Sequence, residues 1–123
     1  MREVAFEKTN VCLENCTITA DDRDPKSGAS HEYTIIVNRG DLADPIVAKI
    51  EFQNGPLKEN GVNGMTNEAL LAIVVDRLEG FQEGQFASRE SALALTAVQN
   101  ALHWLHHRTR QRIARGVEGT WTK

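Results

Sequence analysis

Runs of apolar and β-branched residues dominate the first half of the chain and predict strands. Four runs have a workable strand length: REVAFEK, NVCLENCTITA, HEYTIIVN and PIVAKIEFQN. The polar stretch DDRDPKSGAS separates the second run from the third, and RGDLAD separates the third from the fourth. Because neighbouring runs joined by such loops favour antiparallel pairing, the pattern predicts an antiparallel sheet.

The second half changes to helical spacing. Thr66 is the predicted N-cap of a helix over NEALLAIVVDRLEGFQ, which Gly80 and Gly84 are expected to end. Ser88 is the predicted cap of a second helix over Arg89–Ala114. Its apolar residues recur at steps of three and four and form one stripe: Leu95, Val98, Leu102 and Leu105.

These patterns predict an α+β fold class, with an N-terminal antiparallel β-sheet followed by a C-terminal two-helix hairpin. The expected division is a β-sheet region over 1–54 and a helical-hairpin domain over 55–123, which forms one compact unit. The second helix is about 39 Å long, which exceeds what a small sheet and one shorter helix can cover. We therefore expect part of it to pack against another subunit, so that the protein is homo-oligomeric.

The composition is typical of a soluble globular protein, and the charges are distributed unevenly along the chain. The chain has 123 residues, 41% of them hydrophobic and 25% charged, which is ordinary for a globular domain. It holds no apolar run of ~18 residues and no apolar leader, so a cytoplasmic protein is expected. Residues 1–102 carry 16 acids against 9 Lys and Arg, whereas residues 103–123 carry one acid against 5. The acidic body argues against broad DNA binding, and the basic end suits a compact anion.

Two cysteines do not make a disulfide framework. Cys12 and Cys16 lie in one predicted strand, which would separate their Cα atoms by about 13 Å. That distance is too long for a disulfide or a shared metal ion. Unless the segment turns sharply, both are expected to be small buried or half-buried side chains.

The histidines give little support for catalysis. His103 and His107 have the i, i+4 spacing of two helical metal ligands, but no acid nearby in sequence completes a set. His107 and Thr109 form a single histidine-x-threonine triplet, whereas two-histidine phosphoesterases use two on facing strands. No nucleophile elbow or zinc-hydrolase motif occurs. No catalytic residue, metal site or cofactor is therefore predicted.

Arginines at the end of the second helix are the stronger candidates for ligand binding. Arg108 and Arg112 are at i, i+4 and Arg115 follows, a row suited to bidentate phosphate capture. Phe81 and Phe86 flank the turn between the helices, where an exposed ring could stack on a base. A solvated arginine face with phenylalanines in the core explains these residues about equally well.

Five motifs in residues 52–121 carry a family resemblance: FQNGP, DRLEGFQ, ALALT, HWLHHRTR and RGVEGT. The segment resembles the helical-hairpin domain of phage signal sponges, the anti-Thoeris and anti-CBASS proteins. Because a β-rich half precedes the hairpin, the chain is most similar to the first Thoeris anti-defence family. The resemblance implies sequestration, without degradation, of a cyclic ADP-ribose isomer (gcADPR) made by TIR-domain immune proteins. Some members also hold cyclic di- or trinucleotides, and they assemble from dimers into hexamers.

The resemblance also implies roles for individual residues. Phe81 would stack on the adenine, and Arg108 and Arg112 would grip the pyrophosphate. Ser91 stands in RESA, where the family often has RENA, and would supply a polar contact. The candidates for a second, trinucleotide site are Arg115, Gly116 and Val117. The implied location is the cytoplasm of the infected bacterial host, with no nucleic acid polymer and no membrane as partner.

Two other functions remain open from the sequence. The first is a phosphodiesterase that cleaves the same cyclic nucleotides, with His107 and Thr109 at its centre. The second is a small nucleic-acid-binding phage protein that uses the basic helix end, for which affinity would fall steeply with salt.

Overall fold

The computed structural model describes residues 1–123 and contains two compact units, Met1–Asn54 and Gly55–Lys123. The first unit contains β1 (Arg2–Glu3), α1 (Val11–Glu14), β2 (Cys16–Ala20), β3 (Glu32–Val37), a 3-10 turn (Gly40–Leu42) and β4 (Ile46–Glu51). The second contains α2 (Leu57–Asn60), α3 (Asn67–Glu83) and α4 (Arg89–Ala114). The predicted α+β class is confirmed, since an antiparallel sheet precedes the helices. None of the helices combines the length and the apolar character needed to cross a membrane.

The sheet is a simple meander in the order β1-β2-β3-β4, with every neighbouring pair antiparallel. Its register places Ile18 of β2 opposite Ile35 of β3, which is opposite Ala48 of β4. Since side chains alternate along a strand, one sheet face is apolar and the other largely polar. The apolar face consists of Cys16, Ile18, Ala20, Tyr33, Ile35, Val37, Ile46, Ala48 and Ile50.

Little of this apolar surface is fully covered within the chain. In the sheet, Cys16 and Ala20 are the buried apolar residues, and no side chain falls below 2% exposure. On β4, Ile46 is 51% exposed and Val47 is 55% exposed. Tyr33 meets Phe52 edge-on, with 5.5 Å between ring centroids. Each unit therefore has apolar surface that its own chain leaves in contact with solvent.

The second predicted strand run is only partly a strand. Its first residues form the single helical turn α1, where the side chain of Asn10 accepts a hydrogen bond from the amide of Leu13 (2.9 Å). The strand itself begins at Cys16. The expectation that both cysteines are buried or half-buried was made for a segment without a sharp turn. The segment does turn at α1, so Cys12 is exposed there, while Cys16 is buried; both thiols are free.

The polar stretch between β2 and β3 forms an ordered turn. One carboxylate oxygen of Asp21 accepts hydrogen bonds from the amides of His31 (2.9 Å) and Glu32 (3.2 Å). Asp24 accepts from the amide of Lys26 (2.8 Å) and lies 3.2 Å from His31 Nε2. The amide of Glu32 holds the pKa of Asp21 below its ordinary value, and the amide of Lys26 does the same for the pKa of Asp24.

The helices follow the predicted pattern closely. The helix over Arg89–Ala114 has the expected bounds, and α3 begins after the expected cap, Thr66. The predicted break at Gly80 is wrong, because α3 continues through it to Glu83 and ends at Gly84. A glycine inside a helix costs stability without breaking it. Between β4 and α3 the chain also forms the one-turn helix α2.

Candidate functional site

The second unit is a hairpin of α3 and α4, which pack against one another and are joined by residues 84–88. Both helices begin at a side-chain cap. Thr66 Oγ1 accepts a hydrogen bond from the amide of Ala69 (3.3 Å), and Ser88 Oγ accepts one from the amide of Ser91 (3.1 Å). These bonds satisfy amides that the first helical turn leaves without a partner. The connection between two long helices is short, so the helices run antiparallel.

Phe81 lies near the end of α3 that adjoins this connection. Its ring is 38% exposed, and the guanidinium carbon of Arg77 lies 5.0 Å from the ring centroid. This is within cation–π range, so Arg77 covers part of the ring and helps to orient it. Phe86, in the connection itself, is 70% exposed. Both phenylalanines therefore retain open ring surface.

Ser91 lies in the first turn of α4 and is half-buried. Its amide is engaged by the Ser88 cap, so the hydroxyl is the polar group that it can offer to a ligand. Phe81 and Ser91 lie on opposite sides of the connecting segment, about equally far from it along the chain. The hairpin therefore brings these two predicted site residues to the same end.

The predicted arginines lie at the other end of α4. At 1.5 Å per residue, Arg108 is about 26 Å along the helix axis from Ser91. Arg108 is exposed and forms no ion pair within the chain. Its guanidinium is therefore available to an anionic ligand, but one hairpin does not bring it together with Phe81.

Arg112 occupies a different environment, because its side chain is buried with 6% exposure. Its Nη1 atom donates a hydrogen bond to the carbonyl of Thr122, and Nη2 donates to the carbonyls of Val117 (2.9 Å) and Thr120 (3.1 Å). Its Nε atom lies 3.6 Å from Glu118 Oε2. Arg112 thus holds the C-terminal segment against α4. Its predicted pyrophosphate contact is untested and stays a prediction beside this observed structural role.

The end of α4 contains the remaining predicted candidates. Arg115 is the C-cap and donates a hydrogen bond to the carbonyl of Lys123 (2.7 Å). Gly116 follows with φ +71°, a left-handed conformation that favours glycine and reverses the chain. Val117 is half-buried, and its carbonyl is taken by Arg112. Arg115, Gly116 and Val117 therefore form one turn, and Arg115 presents its exposed side chain there.

The C-terminal segment also contacts α2. The amide of Lys58 donates a hydrogen bond to the carbonyl of Gly119 (3.0 Å), and Trp121 Nε1 donates to Glu59 Oε2 (3.2 Å). A Cβ atom on Gly119 would lie 3.2 Å from the side chain of Lys58, so glycine permits this close approach. Residues 116–123 are therefore a packed part of the second unit.

The histidines of α4 form an aromatic cluster. Trp104 meets His103 and His107 edge-on, with centroid distances of 5.3 Å and 5.7 Å, and the two histidine rings stack at 6.2 Å. The hydroxyl of Thr109 donates to the carbonyl of Leu105 (3.3 Å) and so is used within its own helix. No three His, Cys, Asp or Glu residues are grouped to hold a metal ion.

Sequence reasoning missed the acceptors of this C-terminal packing. Glu118 supports Arg112, and Glu59 binds Trp121 across a long separation in sequence. No local pattern predicted the return of residues 116–123 along α4. No local pattern indicated that Arg112 would be buried, because Arg108, Arg112 and Arg115 carry the same charge and lie in one helical row.

Comparison with known proteins agrees with this architecture. The hairpin domain described as Acb2/Tad1 matches residues 44–110, which is more than half of the chain. The protein named Thoeris anti-defense 1, from Bacillus phage SBSphiJ7, is 49% identical over 98 residues. That match covers 80% of this chain and 66% of the relative, slightly under two thirds of the relative's length. The family resemblance noted from the sequence motifs is therefore confirmed, and the chain belongs to the Acb2/Tad1 hairpin-domain family.

Proposed function

We propose that this protein is a phage anti-defence protein that captures a small immune signal of the bacterial host. The observation that carries the proposal is the 49% identity to a protein named Thoeris anti-defense 1. The proposed ligand is a cyclic ADP-ribose isomer (gcADPR) made by TIR-domain immune proteins in the host cytoplasm. Capture removes the signal before it reaches its effector, and the nucleotide is held intact.

The binding site in this proposal is built from two copies of the chain. Phe81 and Ser91 lie about 26 Å along α4 from Arg108, and a single cyclic dinucleotide-sized ligand cannot bridge that distance. An antiparallel second hairpin would bring the Arg108 end of one copy to the Phe81 end of the other. Apolar side chains outside the Leu95–Leu105 stripe support such a contact, since Leu93 is 57% exposed and Trp104 is 65% exposed. We propose a homodimer as this unit, and a hexamer as the full assembly.

Each proposed contact uses the chemistry of its residue. The open part of the Phe81 ring stacks on the adenine, and the Ser91 hydroxyl supplies a polar contact beside it. Arg108 binds the pyrophosphate through its free guanidinium, which matches phosphate geometry. Arg112 adds positive charge from a buried position and fixes the adjacent chain, so its contribution to the pyrophosphate is partly through positioning.

A second ligand site is proposed at the C-terminal turn of α4. Arg115, Gly116 and Val117 are adjacent there, and positive charge near a helix C-terminus is favourably placed. Cyclic di- or trinucleotides of CBASS signalling are the proposed ligands, held by several copies of this turn around a symmetry axis.

Binding without turnover is favoured over cleavage. Thr109 is hydrogen-bonded within its helix, and His107 stacks on its own aromatic cluster. Neither residue faces a second histidine-x-threonine triplet. To suppress signalling by binding alone, the protein needs nanomolar affinity, about −12 kcal/mol. Base stacking and bidentate phosphate contacts inside a closed pocket are able to supply that affinity.

The test is recovery of the ligand. Purified protein is mixed with gcADPR, freed of unbound material, heat-denatured, and the supernatant is analysed by liquid chromatography. Intact nucleotide near one equivalent per site supports sequestration, a cleaved product would establish catalysis, and no retained nucleotide would refute gcADPR as the ligand. Arg108→Ala is expected to reduce retention at least tenfold. Arg110→Ala removes the same charge from another face of α4 and is expected to bind like the wild type.

A further inference from the structure

We propose that His103 and His107 form a binding site for one late first-row transition-metal ion, of the class of Zn²⁺, Ni²⁺ and Cu²⁺. The two residues are four apart on α4, so their side chains leave the same face of the helix. Paired helical histidines bind zinc at this spacing. The site needs only these two protein ligands. It is separate from the proposed nucleotide-binding site and does not depend on it.

Both imidazole rings are accessible to an ion. His103 and His107 are exposed on α4. Their interactions within the chain are aromatic, since the two rings stack on each other and Trp104 meets both edge-on. A metal ion binds the lone pair of an imidazole nitrogen, which a hydrogen-bond donor would otherwise occupy. An ion therefore does not have to displace a protein partner from either ring.

The separation of the rings is close to the separation that one ion requires. Their centroids lie 6.2 Å apart, with an angle of 19° between the ring planes. In a tetrahedral site with metal–nitrogen bonds of about 2.1 Å, two imidazole centroids on one ion lie about 5 Å apart. The rings therefore need to approach by about 1 Å and tilt until one nitrogen of each points at the ion. Rotation about χ1 and χ2 of two exposed side chains supplies this movement.

Two imidazoles determine the class of ion. Imidazole nitrogen suits Zn²⁺, Ni²⁺ and Cu²⁺, whereas Mg²⁺ and Ca²⁺ prefer oxygen ligands. No third His, Cys, Asp or Glu is grouped with the pair, so water or a small anion completes the coordination. Cu²⁺ is expected to bind most tightly, because divalent ions of this row generally follow that order of affinity.

The helix around the pair is held in place by packing. Leu102 and Leu105 lie on the opposite side of α4 and are half-buried in the hairpin, where α4 packs against α3. Since α4 is continuous from Arg89 to Ala114, the backbone positions of both ligands are set before an ion binds. Preset ligand positions reduce the entropic cost of binding. Only the orientations of the two rings have to change.

Metal titration tests the pair. The full chain carrying Cys12→Ser, which removes an exposed thiol, is titrated with zinc chloride alone by calorimetry at about pH 7.5. One ion per chain is expected. His103→Ala and His107→Ala should each lower the affinity at least about tenfold, because one of two ligands is lost. His106→Ala removes a histidine from the same helical turn but keeps the pair, and its affinity should stay within about threefold of the parent.

A shifted pair separates metal binding from a structural effect. In the His103→Ala background, Gln111→His restores the i, i+4 spacing with His107 and should recover the affinity to within about threefold. Asn100→His in the same background adds an imidazole at a position about 10 Å from His107 along the helix axis. That distance is too long for both rings to reach one ion, so this control should stay as weak as His103→Ala.

Tryptophan fluorescence tests the location of the ion. Trp104 lies beside both histidines, with centroid distances of 5.3 Å and 5.7 Å, and Trp121→Phe leaves it as the sole tryptophan. Cu²⁺ should quench this fluorescence, whereas about 1 mM Mg²⁺ should not. Copper binding without quenching, a loss in His106→Ala equal to that in His107→Ala, no recovery with Gln111→His, or no zinc binding at about 100 µM would each overturn the proposal.

Discussion

Arg112 and Val117 are joined by two hydrogen bonds of opposite direction. The amide of Val117 donates to the carbonyl of Arg112 (3.0 Å), and Nη2 of Arg112 donates to the carbonyl of Val117 (2.9 Å). Both the backbone carbonyl and the side chain of Arg112 therefore bind the backbone of Val117. The guanidinium of Arg112 fixes the C-terminal segment at this point, in addition to the contacts of that segment with α2.

Arg112→Ala should be strongly destabilising. Removal of the guanidinium leaves the carbonyls of Thr120 and Thr122 without these donors and leaves Glu118 without its ion pair. The Glu118 side chain is 32% exposed, so the larger loss comes from the hydrogen bonds of the buried guanidinium, and bonds of this charged type contribute about 1.5–3 kcal/mol. Chemical unfolding followed by tryptophan fluorescence measures the effect. Arg108→Ala, on the same helix but exposed, should change stability by less than about 0.5 kcal/mol; equal effects of the two variants would contradict the structural role of Arg112.

Gly119→Ala and Gly80→Ala should change stability in opposite directions. Gly119 has φ +79° and lies against Lys58, so alanine there is both strained and crowded and should cost about 1–2 kcal/mol. Gly80 lies inside α3, and a Cβ atom added there would meet no other atom within 4 Å, so alanine should add about 0.5–1 kcal/mol. Thermal unfolding of both variants gives the signs, and a stabilised Gly119→Ala would contradict the packing of the C-terminal segment.

The turn between β2 and β3 should loosen in acid. In the folded protein, hydrogen bonds from backbone amides lower the pKa values of both Asp21 and Asp24. For Asp24, the hydrogen bond with His31 lowers the pKa further. Their contribution to stability is therefore complete above the unfolded value of 3.8 and is lost as pH falls through the lower folded values. Protection of the amides of Lys26 and Glu32 from hydrogen exchange, relative to the intrinsic rate at each pH, should fall over that range.

A neighbouring pair of variants isolates this effect. Asp21→Ala should lower the melting temperature at pH 7 by a few degrees and remove part of the acid dependence, because two amides lose their acceptor. Asp22→Ala is the control, since the carboxylate of Asp22 is 90% exposed and contacts only the N-terminal amino group. Unchanged exchange at Glu32 in Asp21→Ala would show that the carboxylate does not hold the turn.

Two inactive variants should restore binding when mixed, if the ligand site is shared between copies. Phe81→Ala and Arg108→Ala should each reduce gcADPR retention by at least about tenfold, the loss of about 1.4 kcal/mol. A mixed dimer of the two contains one site with both residues intact and one with both replaced. After subunit exchange, retention should reach about one quarter of the wild-type value, because half of the dimers are mixed.

Absence of rescue would contradict the shared site, provided that exchange is shown independently. A tagged and an untagged chain, copurified after mixing, supply that control.

Most of the secondary structure could be predicted from the sequence because its signals are local. Ser88 and Thr66 cap their helices as predicted, and the bounds of α4 agree at both ends. The antiparallel meander follows from the polar connections between neighbouring runs. The errors occurred where competing local bonds decided the conformation: the Asn10 cap turned the start of a strand run into α1, and Gly80 was tolerated inside α3.

The candidate site could be predicted only in part. The arginine row on α4 and the aromatic rings beside the connection are visible as patterns, so the residues themselves could be selected. Their separation along the hairpin follows from helix length and was available from the sequence. The burial of Arg112 was not, because it depends on how residues 116–123 return along α4 and on an acid, Glu118, that local spacing does not identify.

The uninterrupted course of α4 limits how relatives can vary in length. An insertion of one residue between Ser91 and Arg108 would rotate the arginine by about 100° around the helix axis and move it off its face. An insertion of seven residues would nearly keep the angle but would lengthen the helix by about 10 Å. We therefore expect length variation among members of this family to be concentrated outside α4, because the length of α4 sets the distance between the two ends of the hairpin.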